Sequence, residues 1–286
     1  CLCCFLQQSA FSQDDKDKPA YTLFDNTGKQ ISYGELIKRL SGYDVIFLGE
    51  LHNCPITHWL EFEITRSIYN IHKDQLMLGA EMFESDNQLI FDEYTQQKNS
   101  YDRIKAEARL WKNYRTDYYP VVFFAKEHHI PFIATNIPRR YANIVKNKGF
   151  EALDSLSEEA KRYIAPLPID FEYDEAQSAA AFSMMNMMGG RRAGDNRKLA
   201  QAQAIKDATM GWFIARNIKN KFLHINGSYH SNRQGGIIPY LLRYRPNTSI
   251  VTVTSVRQES IRKLDDDHKG LADFYICVPE DMVNSY

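Results

Sequence analysis

The sequence predicts an α/β sandwich, a mostly parallel central sheet flanked by helices and carrying a helical insertion. Three observations predict it. Short apolar runs alternate along the chain with stretches of helical periodicity, the pattern of a sheet covered by helices on both faces. Strand, helix and strand follow one another between Val45 and Phe83, a βαβ unit whose strands should be parallel and joined by a right-handed crossover. Two apolar runs far apart also end alike, in Gly49-Glu50-Leu51-His52 and in Gly227-Ser228-Tyr229-His230.

With 286 residues, 44% hydrophobic and 25% charged, the chain can bury a sizeable core in one large domain. A formal net charge of -1 gives no bulk electrostatic reason to expect nucleic acid. Residues 1–13 are mostly apolar and uncharged, and the polar run Asp14 to Lys18 follows. They read either as the end of a secretory signal, with Ala10 and Ser12 as its small-residue cleavage site, or as a lipoprotein N-terminus with Cys1 lipidated. A buried N-terminal strand is the plain alternative. Both processed readings place the protein outside the cytoplasm, in the periplasm or at the outer membrane, with membrane contact only through an N-terminal lipid. Three of the five cysteines lie in this segment, and Cys54 with Cys277 makes no disulfide scaffold. No later stretch reaches the roughly 18 apolar residues that a membrane span needs.

The remainder, 20–286, reads as a single domain. Tyr21 to Asp25, a turn at Asn26 to Lys29, and Gln30-Ile31 form a small strand pair. Ser32 caps a helix to about Leu40, with Glu35 three residues on. Val45 to Leu48 is the first core strand. Pro55 opens a long helix in which Ile56, Trp59, Leu60, Ile64, Ile68 and Ile71 recur at helical spacing. Gln75 to Phe83 is the second core strand, and a helix begins at Ser85. The aromatic-rich stretch Trp111 to Tyr119 leads into a helix through His128, then the strand Pro131 to Thr135, then a helix over Tyr141 to Lys148 with Pro138 in its first turn. From about 150 to 196 the pattern loosens into the insertion, with a Met-rich run at 179–188 followed by Arg191 and Arg192. Lys198 to Asn217 is a long amphipathic helix. A strand ending at Gly227, a helix from Gly236 through Leu242, and strands Ser249 to Ser255 and Asp273 to Val278 complete the domain.

In an open α/β sheet, ligands bind outside the carboxyl ends of the strands. Those ends carry Glu50 and His52, Glu81 and Glu84, Asn136 and Arg139, and Ser228, Tyr229 and His230. Any one of them is ordinary where a chain leaves the core; four strand ends converging point to a site. Glu50, His52 and His230 are a plausible set for a divalent metal, since imidazole suits transition metals and a carboxylate completes the shell. His58 and Glu61 lie one helical turn apart and read either as supporting hydrogen bonders or as a solvated face. Cys54 reads as a buried thiol rather than a soft ligand, His128 and His129 as surface, and the Met run as packing.

Gly49-Glu50-Leu51-His52-Asn53 with Pro55 and His58, Glu81-Met82-Phe83, Asn136-Ile137-Pro138-Arg139, Lys206 to Met210, and Asn226 to His230 together resemble the ChaN-like haem-binding uptake family of the Tiki/TraB superfamily. The resemblance runs from about Tyr43 to Leu242. It implies an extracytoplasmic haem-binding protein serving iron acquisition, with Glu50, His52, Glu81, Arg139 and His230 as shared site residues. It also implies a tyrosine at the haem contact; Tyr229 is the tyrosine inside the matching motif. The cofactor-binding candidates are thus His52, Arg139, Tyr229 and His230. The rival expectation is a metal-dependent hydrolase of the Tiki or erythromycin-esterase-like type, a peptidase or esterase, with Glu50, His52, Glu81 and His230 as its catalytic residues. No Gly-x-Ser-x-Gly elbow is present, which weakens a serine-nucleophile variant. Haem or another small molecule is the expected partner, and a homodimer is left open.

Overall fold

The computed structural model describes residues 18–173 and 195–286. The N-terminal segment and the Met-rich run with Arg191 and Arg192 lie outside the described residues. Seven strands form one sheet in the order β1-β7-β6-β2-β5-β3-β4, where β1 is Thr22–Asp25, β2 Val45–Glu50, β3 Leu76–Glu84, β4 Phe132–Asn136, β5 Lys221–Gly227, β6 Ile250–Gln258 and β7 Phe274–Pro279. Every pairing is parallel except the edge pair β1 and β7. The mostly parallel α/β fold expected from the strand–helix alternation is therefore what forms.

The sheet's centre explains why its strands read as continuous apolar runs. β2 and β3 are buried along their whole length, because helices cover both faces and leave no solvated side to alternate toward. One face packs against α1 (Tyr33–Leu40), α2 (Pro55–His72), α3 (Gln88–Thr95), α4 (Tyr101–Glu107) and α5 (Tyr119–Glu127). The other carries α6 (Arg139–Lys148), α7 (Glu158–Lys161), α8 (Asn196–Asn217) and α9 (Ile237–Tyr244). Ser32 caps α1 as its sequence suggests, its hydroxyl accepting the Glu35 amide at 3.1 Å. No described helix is long and apolar enough to cross a membrane.

Some expectations are corrected. Trp59 and Ile71 are 46% and 52% exposed, because α2 turns Thr57, His58, Glu61 and Thr65 inward along with Leu60, Ile64 and Ile68. Pro138 stands at the N-cap of α6 rather than inside its first turn. The stretch read simply as aromatic-rich contains a turn of π-helix, Tyr114–Tyr118, ahead of α5. α4 was not anticipated; its one fully buried apolar residue, Ile104, sets no period.

Candidate functional site

The two Gly-x-x-His endings lie side by side. β2 and β5 are neighbours in parallel register, with Gly49 opposite Asn226 and Glu50 opposite Gly227. β3 flanks β5 and slips register against β4 between Ala80 and Glu84, an irregularity that re-aims side chains at a sheet edge. Glu50, His52, Glu81, Glu84, Arg139, Tyr229 and His230 are therefore gathered at the carboxyl ends of adjacent strands.

Glu50 is the buried anchor. Its Oε1 accepts His52 Nδ1 at 2.5 Å and the Tyr118 hydroxyl at 2.7 Å. With the proton on Nδ1, a neutral His52 carries its lone pair on Nε2. That nitrogen has no hydrogen-bond partner among the described residues. The ring lies across Gly227, where an added Cβ would meet Nε2 at 2.8 Å, and edge-on to Trp111 with centroids 5.0 Å apart. Its side chain is 35% exposed. Burial works against protonating His52, but the hydrogen bond to Glu50 and its charge outweigh this and raise the pKa.

A second chain of contacts runs through Glu81. Its Oε2 accepts the Gly227 amide at 2.8 Å, and its Oε1 lies 3.2 Å from His230 Nε2. His230 Nδ1 is 2.5 Å from Asp207 Oδ1 on α8, so the buried imidazole spends both nitrogens on carboxylates. Burial resists the charge on His230, yet Glu81 and Asp207 push its pKa up to about 10. Burial likewise opposes ionisation of Glu81, but the positive charge on His230 and His52 holds its carboxyl well below the usual range. Asp207, by contrast, is raised by burial.

His58 and Glu61 are buried, not solvated. His58 Nε2 lies 3.1 Å from the His52 carbonyl oxygen and 3.4 Å from Asp117 Oδ2. Its Nδ1 lies 3.1 Å from Glu61 Oε2 and 3.4 Å from Glu50 Oε2. Despite burial, the surrounding carboxylates Glu61, Glu50 and Asp117 bring the His58 pKa up to about 10. Burial and then the Glu50 charge push Glu61 well above the usual carboxylate range. Among the described residues, Glu50, His58 and Glu61 are the side chains whose metal-capable atoms all fall within 4.8 Å of one another. That differs from the set of Glu50, His52 and His230 read from the sequence, because His230 has turned to Asp207 and Glu81.

The outer rim is cationic and aromatic. Arg139 Nε donates to Glu84 Oε1 at 2.7 Å, and its amide to Glu84 Oε2 at 3.1 Å. Its side chain is nonetheless 62% exposed, and its outer nitrogens have no acceptor among the described residues. Tyr229 is 41% exposed, and partial burial together with the Asp207 charge lifts its hydroxyl to about 12. Cys54 is a buried free thiol at the N-cap of α2; His128 and His129 are exposed. Sequence reasoning gave no role to Tyr118 or Asp117. It met Asp207 only inside a motif, although an acid on the buried side of an amphipathic helix is a usable signal.

A family model described as haem-binding uptake, Tiki superfamily, ChaN matches residues 36–241. No curated protein matches the chain. A solved structure of cofacial heme binding to ChaN of Campylobacter jejuni has a TM-score of 0.69 at 20% identity, covering 90% of this chain and 96% of that one. A mutant erythromycin esterase in its open conformation has a TM-score of 0.53 at 9% identity, covering 93% of this chain and 99% of the other. A Bacillus cereus protein has a TM-score of 0.52 at 11% identity, with coverages of 91% and 95%. At these identities the likeness is one of fold.

Proposed function

The chain belongs to the haem-binding uptake family of the Tiki superfamily, ChaN type, and from that premise we propose that it binds haem at the strand-end site and serves haem or iron acquisition outside the cytoplasm. Haem asks for an axial donor atom, an apolar or aromatic face, and cations for its propionates. The residues present fit those needs. His52 Nε2 and the Tyr229 hydroxyl are candidate donors, Trp111 supplies an aromatic wall beside His52, and Arg139 offers outer nitrogens to a carboxylate.

The observation that carries the reading is the outward His52 imidazole, braced through Nδ1 by a buried carboxylate that fixes its tautomer and ring orientation. A bound haem would supply an iron for that donor to ligate. In this account Glu50 orients His52, and Glu81 with His230 holds the Gly227 backbone against which the His52 ring packs. Cofacial haem, the arrangement named for the Campylobacter protein, favours a homodimer, in which each chain would bring one haem to the pair. The extracytoplasmic part of the proposal rests on residues 1–13.

Titrating purified protein with hemin tests the reading: a Soret band distinct from free hemin, saturating at a fixed stoichiometry, supports it, and an unchanged free-hemin spectrum sinks it. Cell fractionation and growth on hemin as sole iron source, with and without the gene, test location and role.

The Glu50–His52 pair also favours a second reading, a hydrolase in which His52 Nε2 takes a proton from a nucleophile while Glu50 steadies the imidazolium. Loss of an esterase or peptidase activity in a folded His52→Ala variant that still takes up haem would support this reading.

A further inference from the structure

We propose that Glu50, His58 and Glu61 form a buried site for one divalent transition-metal ion, set behind the haem-facing edge and independent of haem. His58 faces only acceptors through Nε2, the His52 carbonyl oxygen at 3.1 Å and Asp117 Oδ2 at 3.4 Å, so Nε2 carries a hydrogen. Its Nδ1 faces Glu61 Oε2 at 3.1 Å and Glu50 Oε2 at 3.4 Å. An imidazole nitrogen and two carboxylates converging in this way suit a metal ion that would take the place of the protons there. A proton on Nδ1 serves one oxygen at a time, and Glu50 Oε2 and Glu61 Oε1 are buried atoms without a hydrogen-bond partner. Such orphaned buried oxygens are costly unless something positive meets them.

The spacing also suits an ion. Donors bound at about 2.0–2.2 Å to one metal stand roughly 3.0–3.5 Å apart, which is the separation of Nδ1 from each carboxylate. The three side chains are 0%, 4% and 1% exposed, so the site is closed to bulk water. Its supports are those of a metal centre: Tyr118 donates to Glu50 Oε1 at 2.7 Å, and the His58 Nε2 hydrogen is held by a carbonyl and a carboxylate. Asp117 is itself fixed by Asn113 and Ser285, each 2.7 Å from Oδ2. One imidazole and two carboxylates suit zinc, manganese or ferrous iron.

Chelator-treated, haem-free protein, reloaded separately with Zn²⁺ and Mn²⁺, tests the site by elemental analysis and calorimetric titration. One ion per chain is expected. Glu61→Gln should weaken binding at least about a hundredfold, since disturbing even a supporting residue costs 10–100-fold, whereas Ser32→Ala, on the remote α1 cap, should retain it. X-ray absorption on the zinc-loaded wild type should show a nitrogen and oxygen shell with one imidazole and no sulfur. That measurement decides the matter even where Glu61→Gln fails to fold. Absence of stoichiometric uptake, unchanged affinity in folded Glu61→Gln, or a shell with two imidazoles overturns the proposal. A protein that binds the ion but not hemin would leave this site standing and remove the haem reading.

Discussion

Replacing Glu81 by alanine removes the carboxylate that accepts the Gly227 amide at 2.8 Å and faces His230 at 3.2 Å. The buried imidazolium then keeps Asp207 alone, and the Gly227 amide keeps nothing. Stripping one partner from a buried ion pair costs about 3–5 kcal/mol, and an orphaned buried amide about 1–3 kcal/mol. The two overlap, so a loss of roughly 4–6 kcal/mol is expected, a large share of the roughly 5–15 kcal/mol that holds a domain folded. Glu81→Gln keeps an acceptor for the amide and loses only the charge, so about half that loss is expected. His230 rises from 6.5 to about 10 on folding, so its contribution is complete below pH 6.5 and fades as pH climbs through about 10. Glu81 is depressed below 4.5, so its contribution is complete above pH 4.5 and fades as pH falls through the depressed value. Wild type and variant should therefore differ most between about pH 4.5 and 6.5. Urea denaturation followed by circular dichroism at pH 6, 8 and 10 measures this. A Glu81→Ala loss below about 1 kcal/mol at pH 6, or a gap that does not narrow by pH 10, would refute the reasoning.

Gly227→Ala places a methyl 2.8 Å from His52 Nε2 and 2.9 Å from Cε1; the ring must leave Glu50, with an expected loss of about 1–3 kcal/mol and at least about tenfold weaker hemin binding, readable by urea melts and Soret titration. Tyr118→Phe deletes a 2.7 Å hydrogen bond to a buried carboxylate, which should cost about 1.5–3 kcal/mol in the same melts. Ser32→Ala removes the cap of α1 and should cost about 1 kcal/mol in thermal unfolding.

The strands were legible because Val45 to Leu48 and Leu76 to Leu78 are apolar runs that stop at glycine, as a strand buried on both faces allows. Register, too, was half visible: the shared Gly-x-x-His ending anticipates that β2 and β5 finish at the same edge, though only the sheet order makes them neighbours. The helix from Pro55 and its inward Leu60, Ile64 and Ile68 were read correctly, but Trp59 and Ile71 were not, because periodicity assumes an apolar interior. Here the interior beside Glu50 is polar, so Glu61 and His58 took the buried side and Trp59 and Ile71 went to the surface. Asp117 and Tyr118 were beyond reach for a related reason. Each comes from a segment remote in sequence, and nothing local distinguishes a carboxylate that meets an imidazole from one that meets water.

The central claim is that the strand-end edge carries the haem donor, and the spectrum of the ferric haem complex tests it most directly. Absorption and electron paramagnetic resonance of hemin-loaded wild type, Tyr229→Phe and His52→Ala, each shown to be folded, would report the axial atom. The account predicts that one of the two substitutions abolishes the protein-bound ligand signature while Leu36→Ala, far from the edge in the α1 core, leaves it intact. A signature unchanged in both substitutions would contradict it.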